Sequence, residues 1–423
     1  MRLPAEELLH HIWQYRLYNF AGLQTVEGAS IEVIRTGELN PNAGPDFLNA
    51  RLKIGGTDWA GNVEIHVRSS DWIKHQHEGN PSYENIILHA VFENDLEESV
   101  GAFPTVELKH LISDQVLRKY ESLSSSTADL PCRTQFLEVP SIVRNGWLDA
   151  LIISRLHRKA QWILELMDKV NGDMEQVFQI ALFRSFGMSV NAAPFELLAH
   201  STPWRTLAKH QDDLFQLEAV LFGNAGFLSE PEEPYQAKLS KEYEFLKIKY
   251  SLHPLDKSVW KFSRMHPKNF PTLRIAQLAS LYHEKAAFLS GFRTKNVSDV
   301  MKSLLIEPSE YWQSHYRFGK EFATKSNRVG EQMARNIIIN VLAPFLFALS
   351  EREAKPDLKD EALAVLSALK AEKNAKTREF ENVGFKPENA LESQALIELK
   401  SNYCELKKCL ICRIGANILR QEK

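Results

Sequence analysis

From Gly61 to Arg68 the chain alternates, with Val63, Ile65 and Val67 on one side and Glu64, His66 and Arg68 on the other. Period two is the mark of a strand, so this stretch predicts a strand over 60–68 with three ionisable groups on one sheet face. Shorter apolar runs predict strands at 31–35 and 47–54. Ile86–Phe92 is a near-continuous apolar run, the pattern of a strand buried on both faces, and Thr105–Leu108 reads as an edge strand. Ahead of these, Leu8, Leu9, Ile12, Trp13 and Leu17 recur at helical spacing after Pro4, which predicts an amphipathic helix over 4–18. Ser70–His77 reads as a short helix capped by Ser70 or Asp71, and another helix follows Ser113 to about Leu123. Ser124–Thr127 then reads as a linker.

From Pro140 the spacing becomes helical throughout. Trp147, Leu148, Leu151, Ile152, Leu156, Trp162 and Ile163 form one stripe, and similar segments fall near 175–187, 194–200, 211–222, 272–290, 330–349, 360–373 and 391–421. No fixed-period repeat is visible, so a solenoid is not indicated. The expected architecture is an α/β domain over 1–123, a linker over 124–139, and a larger all-α domain over 140–423 carrying a cysteine cluster near its end.

Composition narrows the functional classes. The 423 residues include 51 basic and 54 acidic side chains, a formal charge of -3, so a global affinity for polyanions does not follow. Nucleic-acid contact needs a local patch. Candidates are Arg155, Arg158 and Lys159; Arg264, Lys268 and Arg274; and Arg317, Lys320, Lys325 and Arg328 beside Tyr311, Trp312 and Tyr316. Basic residues among aromatics suit phosphate contact and base stacking, although solvated helix faces give the same pattern. The first residues lack the basic-then-apolar plan of a signal peptide. The longest apolar run, Ile337–Leu349, is too short to span a bilayer and contains Pro344, which predicts a buried, kinked helix. The expectation is a cytoplasmic protein without a membrane partner.

The chemistry concentrates near the sheet. Asn42-Ala43-Gly44-Pro45-Asp46-Phe47 is a turn that delivers Asp46. Asp46 shares the parity of Leu48, Ala50 and Leu52, so it must sit in the turn, ahead of the regular pleat, to meet Glu64. Two such carboxylates suit a hard divalent cation held together with substrate phosphate. The order helix, three strands, helix, strand, with Pro45-Asp46 before one strand and Glu64-Ile65-His66 in the next, resembles the PD-(D/E)XK nuclease superfamily. The resemblance implies a restriction-endonuclease-like mixed sheet flanked by helices, and metal-dependent hydrolysis of nucleic-acid phosphodiester bonds. Asp46 and Glu64 would hold Mg²⁺ or Mn²⁺, and Ile65 would lend its carbonyl. His66 stands where the family's lysine stands and would act as base, with Arg68 stabilising charge. The alternatives are a catalytically silent nucleic-acid-binding module and a scaffold protein. His75, His77 and His89 crowd the same region and could build a transition-metal site with Glu64 and His66, while His89 could equally be a hydrogen-bonded core residue.

The four cysteines are Cys132, Cys404, Cys409 and Cys412. Their number and the C-x4-C-x2-C spacing of the last three suffice for one tetrahedral all-cysteine site. Small buried thiols on a helix over Leu406–Leu419 are the plain alternative. An upstream cysteine with a C-terminal trio resembles the iron–sulfur nucleases of bacterial recombination and CRISPR adaptation, although their trio runs C-x2-C-x5-C. Zinc fits the same ligands, and spacing alone does not separate it from an iron–sulfur cluster. The whole chain looks like an uncharacterised bacterial family, found notably in Bacteroidetes, through Asn42–Asp46, Gly61–Trp72, Asn269–Ala279 and Cys404–Gly415. That likeness implies no activity.

Overall fold

The computed structural model describes residues 3–97, 100–284, 296–322 and 326–421. Two compact units are present. The first comprises residues 1–149, 375–386 and 396–423, and the second 150–374 and 387–395. They do not follow the two halves of the chain. The C-terminal segment, with its three cysteines, belongs to the same unit as the sheet.

The first unit is organised on a mixed sheet. Helix α1 (Glu6–Gln14) opens with Glu6 and Glu7 in its first turn, where carboxylates complement the helix dipole. It buries Leu8, Leu9, Ile12 and Trp13 against Phe47, Leu52, Val63, Ile65, Leu88 and Ala90 of the sheet. Trp13 and Phe47 are fully buried, so truncating either to alanine should cost about 3–5 kcal/mol. The strands are β1 (Ile31–Arg35), β2 (Glu38–Leu39), β3 (Phe47–Ile54), β4 (Thr57–Arg68), β5 (Ile86–Glu93) and β6 (Thr105–Glu107). Their order is β1-β3-β4-β5-β6, with β2 also on β3. β1 and β3 are antiparallel, as are β3 and β4, whereas β4–β5 and β5–β6 are parallel. β3 and β4 are joined by Gly55-Gly56, both at positive φ (56° and 86°), the backbone a two-residue hairpin needs and glycine supplies without strain. β5 is buried on both faces, as its apolar run predicts.

Helix α2 (Asp71–Lys74) and a 3₁₀ turn at Pro81–Tyr83 form the crossover from β4 to β5. Ser70 occupies the N-cap position without capping by its side chain. Its hydroxyl instead donates to Asp95 Oδ2 at 2.7 Å. Helix α3 (Asp114–Ser125), capped by Ser113, runs through the first two residues expected to begin a linker.

In the second unit, long apolar helices fill the interior. Pro271–Glu284 is buried from Pro271 through Tyr282. The helix predicted near 272–290 is seen to Glu284, and its remaining residues lie outside the described ones. Pro234–Tyr250 is a helix that the periodicity does not predict; Pro234 starts it and the Glu233 side chain caps it. Glu331–Glu353 spans 23 residues and is long and apolar enough to cross a membrane by length and composition, which corrects the expectation taken from the shorter apolar run. Within it, 83% of the most apolar window is buried inside the protein, the setting of a core helix. A π-turn at Ile338–Leu342 precedes Pro344, shifting the hydrogen-bond ladder where proline has no N–H to offer. The predicted helix over 391–421 is broken into Ala390–Leu399, a π-turn at Lys400–Cys404, and Arg413–Arg420.

Candidate metal-binding site

Asp46 is held by its turn. Gly44 takes φ 108°, and Asn40 Nδ2 donates to the carbonyls of Ala43 and Pro45 at 3.3 and 3.0 Å. Asp46 precedes β3, as its meeting with Glu64 requires. Between Phe47 and Ala50 the β3–β4 register shifts, with Asn49 at φ 58°. This bulge separates the parity of Asp46 from that of Ala50 and Leu52. The Asp46 N–H donates to Glu64 Oε2 at 3.1 Å, and Asp46 Oδ2 accepts from the Ile65 N–H at 2.9 Å. The other end of the carboxylate pair reaches α1, where His10 Nε2 lies 3.3 Å from Asp46 Oδ2.

Glu64 and His66 share the β4 face opposite Val63 and Ile65. Glu64 Oε1 lies 3.3 Å from His77 Nε2 and 3.7 Å from His66 Nε2. His66 Nδ1 is 2.8 Å from His89 Nε2, and its Nε2 is 3.1 Å from His75 Nδ1. His75 caps the end of α2, and Gln76 then enters the left-handed region at φ 58°. That single reversal aims His75 and His77, two apart in sequence, at one point. The His77 ring stacks on Tyr83 with centroids 4.0 Å apart, and Trp72 packs against His77, His89 and Phe103. Among the described residues, His66, His75 and His77 form the group of three whose ligand atoms all lie within 4.8 Å of one another.

The electrostatics follow from burial. Desolvation, then the charge of Asp46, pushes the Glu64 carboxyl up to about 9 against the opposing Asp46 N–H. Desolvation, then the neighbouring His89, His75 and His77, brings His66 down to about 3, and desolvation with His77 brings His89 to about 4. Burial disfavours charge on His10, but the hydrogen bond and charge of Asp46 outweigh it and raise its pKa. His77 Nε2, His89 Nδ1 and His10 Nε2 are buried without a fully formed hydrogen bond. The clustered imidazoles of His66, His75 and His77, with the Glu64 carboxylate beside two of them, are a donor set for a borderline transition metal such as Zn²⁺, Mn²⁺ or Fe²⁺. Mg²⁺, which takes oxygen ligands, suits these residues less well.

The other predicted residues are placed as follows. The Arg68 side chain is 43% exposed and lies 3.7 Å from Glu93, while its backbone N–H donates to Asp71 Oδ2. Sequence spacing does not mark His10, whose pKa Asp46 raises against burial, or Glu6, whose pKa burial and Asp46 both raise. A polar pair at i and i+4 on the edge of the α1 stripe is the signal that could have found them. In the helical unit Arg155 Nε donates to Gln394 at 2.9 Å, and Lys159 donates to Asn340 at 2.5 Å. Arg274 is buried and bonded to Gln277 and Asn269, and the Arg317 guanidinium lies over the rings of Phe262 and Phe270 at 4.2 and 4.5 Å. Lys325 lies outside the described residues. The four cysteines line one cavity in the first unit, with Tyr403 and Lys408 beside them.

No curated protein and no solved structure matches the chain. The pattern that defines the family described as "Protein of unknown function (DUF2851)" matches residues 6–375, most of the sequence. The chain belongs to that family.

Proposed function

We propose that the sheet unit is a metal-dependent phosphodiesterase acting on nucleic acid, with a divalent transition metal held by His66, His75, His77 and Glu64. The convergence of three imidazoles on one another, two of them beside the buried Glu64 carboxylate, carries this reading. The element order, together with a parallel step from β4 to β5 after two antiparallel steps, supports the nuclease resemblance and hence the phosphodiester substrate. When bound, the metal would act as a Lewis acid on a phosphoryl oxygen and lower the pKa of an attacking water.

The chain's own groups have separable roles. His89 holds His66 from behind through the 2.8 Å contact at Nδ1, which leaves His66 Nε2 facing the cluster. Asp46 is fixed by the Ile65 N–H and keeps His10 within reach of a proton. That pair sits at the rim, each side chain 19% exposed, so His10 can carry a proton to a leaving oxygen while Glu64 and His66 stay dry.

The test is cleavage of end-labelled single- and double-stranded DNA and RNA with Mn²⁺, Zn²⁺ or Mg²⁺, alongside calorimetric metal titration. The expected result is cleavage and about one tight ion per sheet site, as one three-histidine group implies, both lost in His66→Ala/His77→Ala. A metal-bound protein that cuts none of the four substrates overturns the phosphodiesterase. Equal metal binding by wild type and the double variant overturns the site.

A further inference from the structure

A second cluster of ligands lies in the same unit and is independent of the histidines. Cys132 follows Pro131 after α3, whereas Cys404, Cys409 and Cys412 come from the C-terminal segment, yet all four line one cavity. No disulfide joins them. Cys132, Cys404 and Cys412 are buried and Cys409 is partly exposed.

The backbone is shaped to bring them there. The π-turn at Lys400–Cys404 ends on the first of the trio, and π-turns often mark functional sites. Lys407 then reverses the chain at φ 52°, its N–H bonding the Cys404 carbonyl at 3.1 Å. Gly415 lets the helix Arg413–Arg420 approach the loop. A Cβ at this position would stand 2.2 Å from the Cys409 carbonyl oxygen. Lys400 donates to the Asp129 carbonyl and lies 2.8 Å from Glu379, tying the segment to the chain ahead of Cys132.

The cavity fits thiolates bound to a cation. A soft cation binds such sulfurs as thiolates, and the four then face a positive charge. Around Cys412 the donors are already placed: the N–H groups of Ile414 and Gly415 and the Trp147 indole favour its thiolate. The Trp147 N–H is buried without a fully formed hydrogen bond to any other acceptor, as expected of a donor aimed at a sulfur that is a weak acceptor while protonated.

Sulfur spacing separates the two thiophilic groups. A tetrahedral zinc with bonds of about 2.3 Å holds its sulfurs about 3.8 Å apart. Among the described residues, the cysteines do not supply a group of three with ligand atoms within 4.8 Å of one another; the histidines do. An iron–sulfur cluster spreads its four thiolates over two or four irons, so no three of them crowd around one metal and the set is spaced more widely. We propose that Cys132, Cys404, Cys409 and Cys412 hold an iron–sulfur cluster that fastens the C-terminal segment to the sheet unit.

The experiment is anaerobic purification of the full chain, with iron, zinc and acid-labile sulfide measured per chain and the visible absorption recorded before and after dithionite. Iron and sulfide in equal amounts, with a broad visible band that bleaches on reduction, are expected. Cys409→Ser changes the most exposed ligand and is expected to lose most of both while keeping its helical circular dichroism. Should Cys409→Ser fail to fold, the wild-type analysis still decides. Zinc without sulfide overturns the cluster, and absence of both overturns the site. The readout is independent of the proposed hydrolase, because His66→Ala/His77→Ala should retain its iron and sulfide in full. Iron lost with that variant instead assigns it to the histidines and overturns the inference.

Discussion

Glu64 in the sheet unit and Glu218 in the helical unit are both buried, and burial pushes both carboxyls up, to about 9 and about 7. Their partners differ. Glu218 accepts hydroxyl hydrogens from Tyr235 at 2.5 Å and from Ser309 at 2.6 Å, so each oxygen has a neutral donor. One Glu64 oxygen accepts from the Asp46 backbone, and the other faces the ring nitrogens of His77 and His66. Burial and a raised pKa therefore do not by themselves identify a site. A buried carboxylate among neutral donors is closed, whereas one facing the ring nitrogens of clustered imidazoles has the partners of a metal ligand.

The comparison breaks most readily on metal affinity. Replacing His89, whose ring bonds the His66 ring, should weaken Zn²⁺ or Mn²⁺ binding by about 10–100-fold, the usual cost of losing an outer partner. Glu64→Ala should cost more than that, and Glu218→Gln nothing. A calorimetric titration in which Glu218→Gln matched Glu64→Ala would remove the distinction between the two carboxylates.

Stability should rank them the other way. Glu218→Ala strands the Tyr235 and Ser309 hydroxyls in an interior where the residue is wholly buried, at a cost of roughly 4 kcal/mol. In metal-free protein Glu64→Gln should be close to neutral, since the buried group favours its uncharged form and the amide oxygen can still accept the Asp46 N–H. Urea titrations of the two variants measure this, and a larger loss from Glu64→Gln would contradict it.

How far these features could be read from the chain depended on whether their cause was local. The double-sided burial of β5 follows from its own apolar run, and the position of Asp46 ahead of β3 from a turn six residues long. His75 and His77 were visible as candidates because a turn places them close in sequence as well as in space. His10 was not, because its partner Asp46 comes from a different element. The Asn49 bulge was equally hidden, since a polar residue in a strand ordinarily means an exposed position. Counting cysteines suggested one site, but periodicity alone extended a helix through residues where Lys407 and the Cys409–Cys412 turn break it. Nor does local pattern reveal that the last segment returns to the sheet unit, which depends on contacts far apart in sequence.

The two units should also differ by a pair of opposite pH dependences. Glu218 rises from 4.5 to about 7 on folding, so the folded protein holds that proton more tightly than the unfolded chain. Its contribution is fully present below pH 4.5 and is lost as pH rises through 7, about 3 kcal/mol at 1.4 per unit. His11, 4% exposed, moves the other way, from 6.5 to about 4, through burial and then the charge of Arg420. The folded sheet unit therefore favours neutral His11. That contribution is present above pH 6.5 and is lost as pH falls through 4, again by about 3 kcal/mol. Urea unfolding across this range should show Glu218→Gln flattening the loss toward alkaline pH and His11→Gln flattening the loss toward acid. Parallel profiles for both variants and the wild type would mean that neither group carries its shift into stability, and that other titrations set the pH dependence of both units.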